Sequence, residues 1–371
     1  MRTTSAHALE VEVHQKLTIR EVTARAVMVP LKMPIRTAVG TIPSAPLVLI
    51  DLITEEGIRG RSYIFAYTPL VLPALLRLIE ETSAELRGKA LVPTDRMRDF
   101  DRRFRLLGWQ GLVGMIVSGL DMAFWDALAR ARGVAVAEFL GGSCSPIAAY
   151  ASYGMIDIAK DEPEIRAALE SGFRALKIKL GGGSLENDRR SVAAVRAVIG
   201  PDVALMVDYN QSLDPVEARR RIADLAAFDL YWIEEPVPAE DLRGHAQVRA
   251  SSPVPIQTGE NWWFPSGMAN AVAAGASDYA MLDIMKIGGV TGWTRAMGLA
   301  EGVSLPVSSH LFIEASAHML AVTPTAHWAE HLDVAGAVLA DPLQPIDGTL
   351  TARGPGFGID WDEAAVKRYL V

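Results

Sequence analysis

Cysteine is nearly absent: Cys144 stands alone among 371 residues, which excludes an intramolecular disulfide framework and any multi-cysteine metal site. Charge of one sign is not concentrated either. The chain has 36 Lys and Arg against 44 Asp and Glu, a net charge of −8, and no basic run stands out, so a nucleic-acid partner is not expected. Long apolar runs are also missing. The opening stretch MRTTSAHALEVEVHQKLTIREV has no apolar h-region, and no later run reads as long enough to span a bilayer; the expected location is cytoplasmic. What is present, 50% hydrophobic and 22% charged residues, is the profile of a globular chain with a large buried core. Its length exceeds one typical domain but suits a single large α/β barrel with an added lobe.

The pattern divides the chain. Residues 17–66 alternate β-rich segments with turns, LTIREVTARAVMVPL and then APLVLIDLITEEGIRGRSYIF, where TEEG supplies a turn between two strand-like runs. Residues 70–140 change period: PLVLPALLRLIEETSAEL and VSGLDMAFWDALARARGV carry apolar positions at helical spacing, the second ending at Gly133. From residue 146, eight short apolar segments recur, IAAYAS, ALKIKL, ALMVDYN, LYWIEEP, VPIQTGEN, YAMLDIMK, LPVSSHLF and AHWAEHL, most of them separated by helical stretches. Strand and helix alternate as in parallel βαβ units, and eight such units close a (β/α)₈ barrel. The expected fold is therefore an α/β chain with a TIM-type barrel over residues 146–351 and an N-terminal α+β capping domain over 1–145, completed by 352–371.

Polar residues sit at the C-terminal end of each apolar run, the rim where barrel enzymes place their chemistry. Residues two apart on a strand share a face, so Lys177 and Lys179 point together, as do Asp208 and Asn210. If these faces look into the lumen, they meet Glu234 or Glu235, Glu260, Asp283, His310 and Glu330 from the following strands. Three carboxylates on successive strands repel one another unless a divalent cation lies between them, and an oxygen-only set favours a hard ion, Mg²⁺ or Mn²⁺. Asp208, Glu234 and Glu260 are the expected ligands. A carboxylate substrate at such an ion has a more acidic α-proton. Removing that proton requires a base. Burial, a neighbouring lysine and a cation all favour neutral Lys179, and His310, with Asp283 bonded to its other nitrogen, offers a second base.

At this point KIK, VDYNQSLD, WIEEP, GENW, MKIGGVTGW, SSHLF and TPTAHWAEHLD resemble the mandelate racemase subgroup of the enolase superfamily. The resemblance covers most of the chain. It implies Mg²⁺ on Asp208, Glu234 and Glu260, a Lys179/His310 base pair with Asp283 behind His310, and Lys177 and Glu330 on the substrate carboxylate, Glu330 protonated. It also implies a carboxylate contact at Ser152, a role for Asn210 beside it, an aryl pocket lined by Ile35, Ile42, Phe65 and Tyr67, and a homo-oligomer, often an octamer. Ile178, Arg36 and YASYGM depart from the family pattern. Arg36 adds charge where an aryl pocket needs apolar walls, so the expected racemisation of an aryl 2-hydroxy acid stands beside dehydration of an acid sugar on the same scaffold, and beside a carboxylate-binding protein without turnover. Glu235, His318, His327, His331 and Cys144 are expected to be structural.

Overall fold

A computed structural model describes residues 16–371. The chain opens with an antiparallel sheet of three strands, β1 (Ile19–Thr37), β2 (Gly40–Thr54) and β3 (Arg59–Phe65). TEEG is the turn between β2 and β3: Gly57 takes φ +84°, and the Thr54 amide donates to Ile58 O at 2.9 Å. Four helices follow, α1 (Leu72–Leu86), α2 (Pro93–Phe104), α3 (Leu112–Ala131) and the short α4 (Val136–Phe139). Helix α3 lies against β3 so closely that a Cβ on Gly60 would come within 2.0 Å of Ala123 O. Contrary to the sequence expectation, α3 is long and apolar enough to cross a membrane, but 83% of its most apolar window is buried within the protein. It is a core helix.

The eight apolar segments form eight parallel strands: β4 (Ile147–Ser152), β5 (Ala175–Lys179), β6 (Ala204–Asp208), β7 (Leu230–Glu234), β8 (Ile256–Thr258), β9 (Tyr279–Asp283), β10 (Val307–His310) and β11 (Ala329–His331). They run in the order β10-β9-β8-β7-β6-β5-β4-β11. Ser309 N donates to Trp328 O at 3.0 Å and His327 N to Val307 O at 2.8 Å, closing the ring between β10 and β11. Helices α5 (Ile158–Glu170), α6 (Leu185–Ile199), α7 (Pro215–Leu225), α8 (Leu242–Ser251), α9 (Phe264–Ala274), α10 (Gly289–Gly302) and α11 (Ile313–Ala321) connect successive strands. Their starts follow from local chemistry. Asp214 accepts from the Val216 and Glu217 amides with Pro215 at the first position, and Ser184 accepts from Asn187 N, satisfying helix donors that would otherwise lack partners.

The eighth unit departs from the expected barrel. No α-helix follows β11 along the barrel; Pro342, Pro345 and the positive-φ pair Asp347 and Gly348 interrupt that segment, and proline removes the donor and the freedom a helix interior requires. The chain instead returns as β12 (Thr349–Leu350), antiparallel to β4. The last helix, α12 (Glu363–Tyr369), reaches back to the first sheet, where Val371 N donates to Ala26 O at 3.1 Å and Arg25 Nη1 donates to Glu363 at 2.5 Å.

Side-chain alternation fills the barrel. The outward residues Leu176, Ile178, Leu205, Val207 and Ile233 join the main core between strands and helices, whereas Tyr150, Ala175, Met206, Trp232 and Met281 form a separate apolar cluster. Each member of this second cluster stands two residues before an expected site residue or, for Ala175, before Lys177. The cluster is the floor of the mouth.

Candidate active site and cation centre

Strand register brings the polar ends together. Lys179 pairs with Asp208 in the β5–β6 ladder and Asp208 with Glu234 in the β6–β7 ladder, and Glu260 follows two residues after β8. One ligand atom from each of Asp208, Glu234 and Glu260 lies within 4.8 Å of the others, all three residues buried. The donor set fits a hard divalent cation. Glu260 Oε2 supports the fit, being buried without a hydrogen-bond partner, and the Asn210 side-chain oxygen nearby is likewise unpartnered.

Each carboxylate is held by a neighbour. Lys177 Nζ lies 2.7 Å from Glu234 Oε1 and 2.9 Å from Glu330 Oε1, and 5.4 Å from the centre of the Tyr150 ring. Lys179 Nζ pairs with Asp208 Oδ2. Asn210 donates to Asp208 through its amide at 2.7 Å and its side chain at 3.0 Å, taking φ +43° to do so. Gln257 Nε2 reaches Glu234 Oε2 at 3.3 Å. The two lysines are not isolated cations. They face the carboxylates across the lumen.

The electrostatics differ from the sequence expectation at two points. Burial and Lys177 both disfavour the Lys179 ammonium, but Asp208 outweighs them and raises Lys179 above the ordinary lysine range. Lys179 is thus held charged by its ion pair. Glu330 departs similarly from the expected neutral acid. Burial favours its protonation, yet Lys177, His310 and the Leu311 amide bring it down to about 2, and it accepts from Ser152 Oγ at 2.7 Å and Leu311 N at 2.8 Å. It is a carboxylate here.

His310 is oriented from behind. Its Nδ1 lies 2.7 Å from Asp283 Oδ2, and Asp283 Oδ1 accepts from the Met285 amide at 2.7 Å and the Lys286 amide at 3.2 Å. A carboxylate only accepts, so Nδ1 carries the proton. Nε2 then faces Glu260, 3.3 Å from its Oε2. Burial would lower the imidazole, but Glu260 and Asp283 raise it to about 9.

From the cap, the Tyr67 ring reaches the barrel, with its centre 4.9 Å from Lys286 Nζ. Phe65 and Tyr67 pack with ring centroids 4.6 Å apart, and the Tyr67 hydroxyl is buried without a partner. Ile35 pairs with Ile42 on the β1–β2 hairpin. Arg36 does not add a free charge to the pocket: its guanidinium pairs with Asp161 of α5 and donates to Met155 O at 2.8 Å, while Met155 N donates to Arg36 O at 2.7 Å. It fastens the hairpin to the loop after β4. Of the residues expected to be structural, His318 bridges Ala137 N at 3.2 Å and Arg353 O at 3.0 Å, His327 meets the Tyr231 hydroxyl at 2.8 Å, and His331 packs against Phe173 with the rings tilted by 43°. Four site neighbours escaped the sequence argument: Tyr150, Gln257, Asn261 and Lys286. Tyr150 carried a legible signal, since it shares an inward face with Ser152, whereas Gln257 stands two residues before a glycine and carried none.

A closed parallel barrel, an antiparallel cap and converging acids, lysines and a His–Asp pair at the C-terminal rim are the arrangement of a barrel enzyme. The comparisons make the class specific. Residues 161–365 match the enolase C-terminal domain-like model and residues 19–141 the mandelate racemase / muconate lactonizing enzyme N-terminal domain. The chain belongs to the enolase superfamily, in the branch that includes mandelate racemase. An enolase from Bradyrhizobium solved with magnesium and mandelic acid is 59% identical, with 96% of this chain and 99% of that one covered and a TM-score of 0.94. D-galactarolactone cycloisomerase of Agrobacterium fabrum is 33% identical over 71% of this chain and 75% of its own length. L-talarate/galactarate dehydratase of Salmonella typhimurium is 30% identical over 68% of this chain and 66% of its own.

Proposed function

We propose that this protein is a racemase that removes and returns the α-proton of an aryl 2-hydroxy acid through an enediolate, using Lys179 and His310 as two bases. The observation that carries the proposal is the arrangement of those bases: Lys179 is set against Asp208 on β6, and His310 Nε2 faces Glu260 beyond β8. Two proton-carrying groups thus flank one carboxylate cluster from β5 and β10, strands that are not neighbours in the barrel. A substrate carbon between them has one face toward each. A divalent cation, Mg²⁺ or Mn²⁺, held by Asp208, Glu234 and Glu260 would supply stabilisation of the enediolate charge and relieve the carboxylate charge that keeps Lys179 paired.

The chain's own residues do the rest. Lys177 and Ser152 present an ammonium and a hydroxyl to which a substrate carboxylate could bind once Glu330, which they now hold, takes up a proton, and Asn210 lies next to Asp208 at the same rim. Lys179 and His310 hold and deliver protons at Nζ and Nε2, and Asp283 fixes which nitrogen of His310 is free. Phe65, Tyr67, Ile35 and Ile42 give the cap an apolar and aromatic character that suits an aryl group. The engagement of Arg36 with Asp161 removes the main contrary sign. The mandelic acid bound by the 59% identical Bradyrhizobium enolase agrees with this substrate class.

A dehydratase acting on an acid sugar is the second reading, favoured by the named activity of the Salmonella relative; the same cation ligands and His310–Asp283 pair would serve it, one group taking the α-proton and another protonating the departing β-hydroxyl. The full proposal includes a homo-oligomer, by resemblance an octamer, working in the cytoplasm, and a barrel unit over 146–351 capped by 1–145 with 352–371. An NMR screen in D₂O with Mg²⁺, over hydroxy acids and acid sugars, separates the readings. Exchange of the α-proton of both enantiomers of an aryl hydroxy acid, with no loss of substrate, is expected. Consumption of an acid sugar with no exchange of any aryl acid would overturn the racemase proposal.

A further inference from the structure

Glu235 and Lys286 are buried, yet the mechanism above uses neither. Asn261 joins them. Its Nδ2 lies 2.9 and 2.8 Å from the two oxygens of Glu235 and 3.2 Å from Glu260 Oε1, while its Oδ1 accepts from Lys286 Nζ at 2.5 Å. The chemistry of the neighbours fixes the amide orientation. A lysine ammonium only donates, so the amide oxygen must face Lys286, which leaves the nitrogen to the two acids. A flipped amide would set its nitrogen against an ammonium.

Lys286 is itself restrained. Its amide donates to Asp283 Oδ1 at 3.2 Å, its carbonyl accepts from Phe264 N at 3.0 Å, and its Nζ stands 4.9 Å from the centre of the Tyr67 ring. The backbone is bent to build this contact: Glu235 takes φ +36° directly after β7, a region that side chains other than glycine rarely occupy. The result is asymmetric at Glu260. Oε1 is engaged by Asn261, whereas Oε2 has no hydrogen-bond partner and faces His310 Nε2 at 3.3 Å.

We propose that Asn261 and Lys286 are positioning residues that fix Glu260 with Oε2 free for the cation, Lys286 acting through the amide it orients and Glu235 serving as the second anchor of that amide. The inference rests on the reading of Asp208, Glu234 and Glu260 as the cation site. It differs from a simple charge effect in sign. Taking away a buried positive charge near a cation site would by Coulomb's law tighten cation binding; loss of a positioning contact weakens it.

The test is calorimetric titration of the full chain with Mg²⁺ alone, beside its thermal melt. Asn261→Leu is expected to raise the Mg²⁺ dissociation constant about 10- to 100-fold, the range for lost partners of metal ligands. Lys286→Met is expected to move it in the same direction, and Lys286→Arg, which keeps a donor to the amide, to recover most of the loss. An unchanged or tighter dissociation constant for a folded Lys286→Met protein would overturn the proposal, and this variant decides alone if Asn261→Leu does not fold. Absence of Mg²⁺ binding by the unmodified chain would instead overturn the cation-site reading on which the proposal stands.

Discussion

The floor and the mouth of the barrel are made by the same strands and the same inward face, yet they are chemically opposite. Met206 and Asp208, Trp232 and Glu234, and Met281 and Asp283 are separated by two residues each. All six are at most 1% exposed. Equal burial therefore does not mean equal cost. The floor gains from removing apolar surface from water, whereas each charge in the mouth loses hydration and is tolerable only because lysines, amides and a histidine surround it. The floor is where this barrel is stabilised. The mouth is where stability is given up for chemistry.

The largest expected effect tests the mouth. His310→Asn keeps a polar side chain but carries no proton to Nε2's side, and Lys179→Met removes the opposing ammonium; each should lower racemisation by about 10²–10⁴, the range for one general acid or base. Exchange in D₂O should survive in each variant for one enantiomer only, a different one in each. If both variants exchange both enantiomers, the two faces are not served by separate groups, and the mouth is a one-base site.

The floor should answer in stability. Trp232 packs edge-on to Tyr150 at 5.4 Å between centroids, and Trp232→Ala should cost about 3–5 kcal/mol in urea unfolding. The folded fraction should keep Mg²⁺ binding at saturating ion. A stability loss below about 1 kcal/mol together with lost turnover would erase the division of labour between floor and mouth.

How much of this was legible follows from periodicity. Eight strands could be placed because each is a short apolar run ending in a polar residue, and the i, i+2 rule put Lys177 with Lys179 and Asp208 with Asn210 on one face. The missing eighth helix was also written in Pro342, Pro345 and Gly348, but the rhythm of the preceding units masked it. The charge states of Lys179 and Glu330 were not accessible to pattern. They depend on which carboxylate lies nearest, Asp208 for Lys179 and Lys177 for Glu330, and that is a property of register and side-chain reach. The partner of Arg36 was hidden for the same reason, since nothing local indicates that Asp161, 125 positions away, receives it.

Asp121 sharpens the comparison from outside the lumen. This buried carboxylate on α3 accepts from Thr291 N at 2.8 Å and Thr291 Oγ1 at 2.6 Å, neutral donors where Glu330 has a lysine. Burial therefore prevails and raises it to about 7, while Glu330 stands at about 2. A folded-state value above the unfolded one means the protonated form is favoured by folding, so the contribution is complete below about pH 4 and is lost as pH rises through about 7. Asp121→Asn should remove this loss. Urea midpoints of variant and parent, compared from pH 5 to 8, should diverge in the variant's favour by on the order of a few kcal/mol; parallel curves would mean that a buried carboxylate needs no charged partner here.

The smallest effect concerns the seam between cap and barrel. Arg36 lies over the mouth in sequence logic, but its side chain is one third exposed and paired with Asp161, so it belongs to neither of the two compared regions. Arg36→Leu should then cost no more than about 1 kcal/mol, the ordinary worth of a partly exposed ion pair. The Met155 N to Arg36 O bond at 2.7 Å survives the change because it is made by the backbone, and the hairpin should stay seated. For an aryl hydroxy acid, KM should rise less than about threefold and kcat should hold, since a group that does not touch the substrate contributes to neither ground state nor transition state. A polyhydroxylated acid would test the opposite case. If Arg36→Leu raised KM for an acid sugar tenfold or more while leaving the melting temperature unchanged, Arg36 would exchange Asp161 for substrate, the cap would count as a polar pocket, and dehydration would become the better account of the mouth.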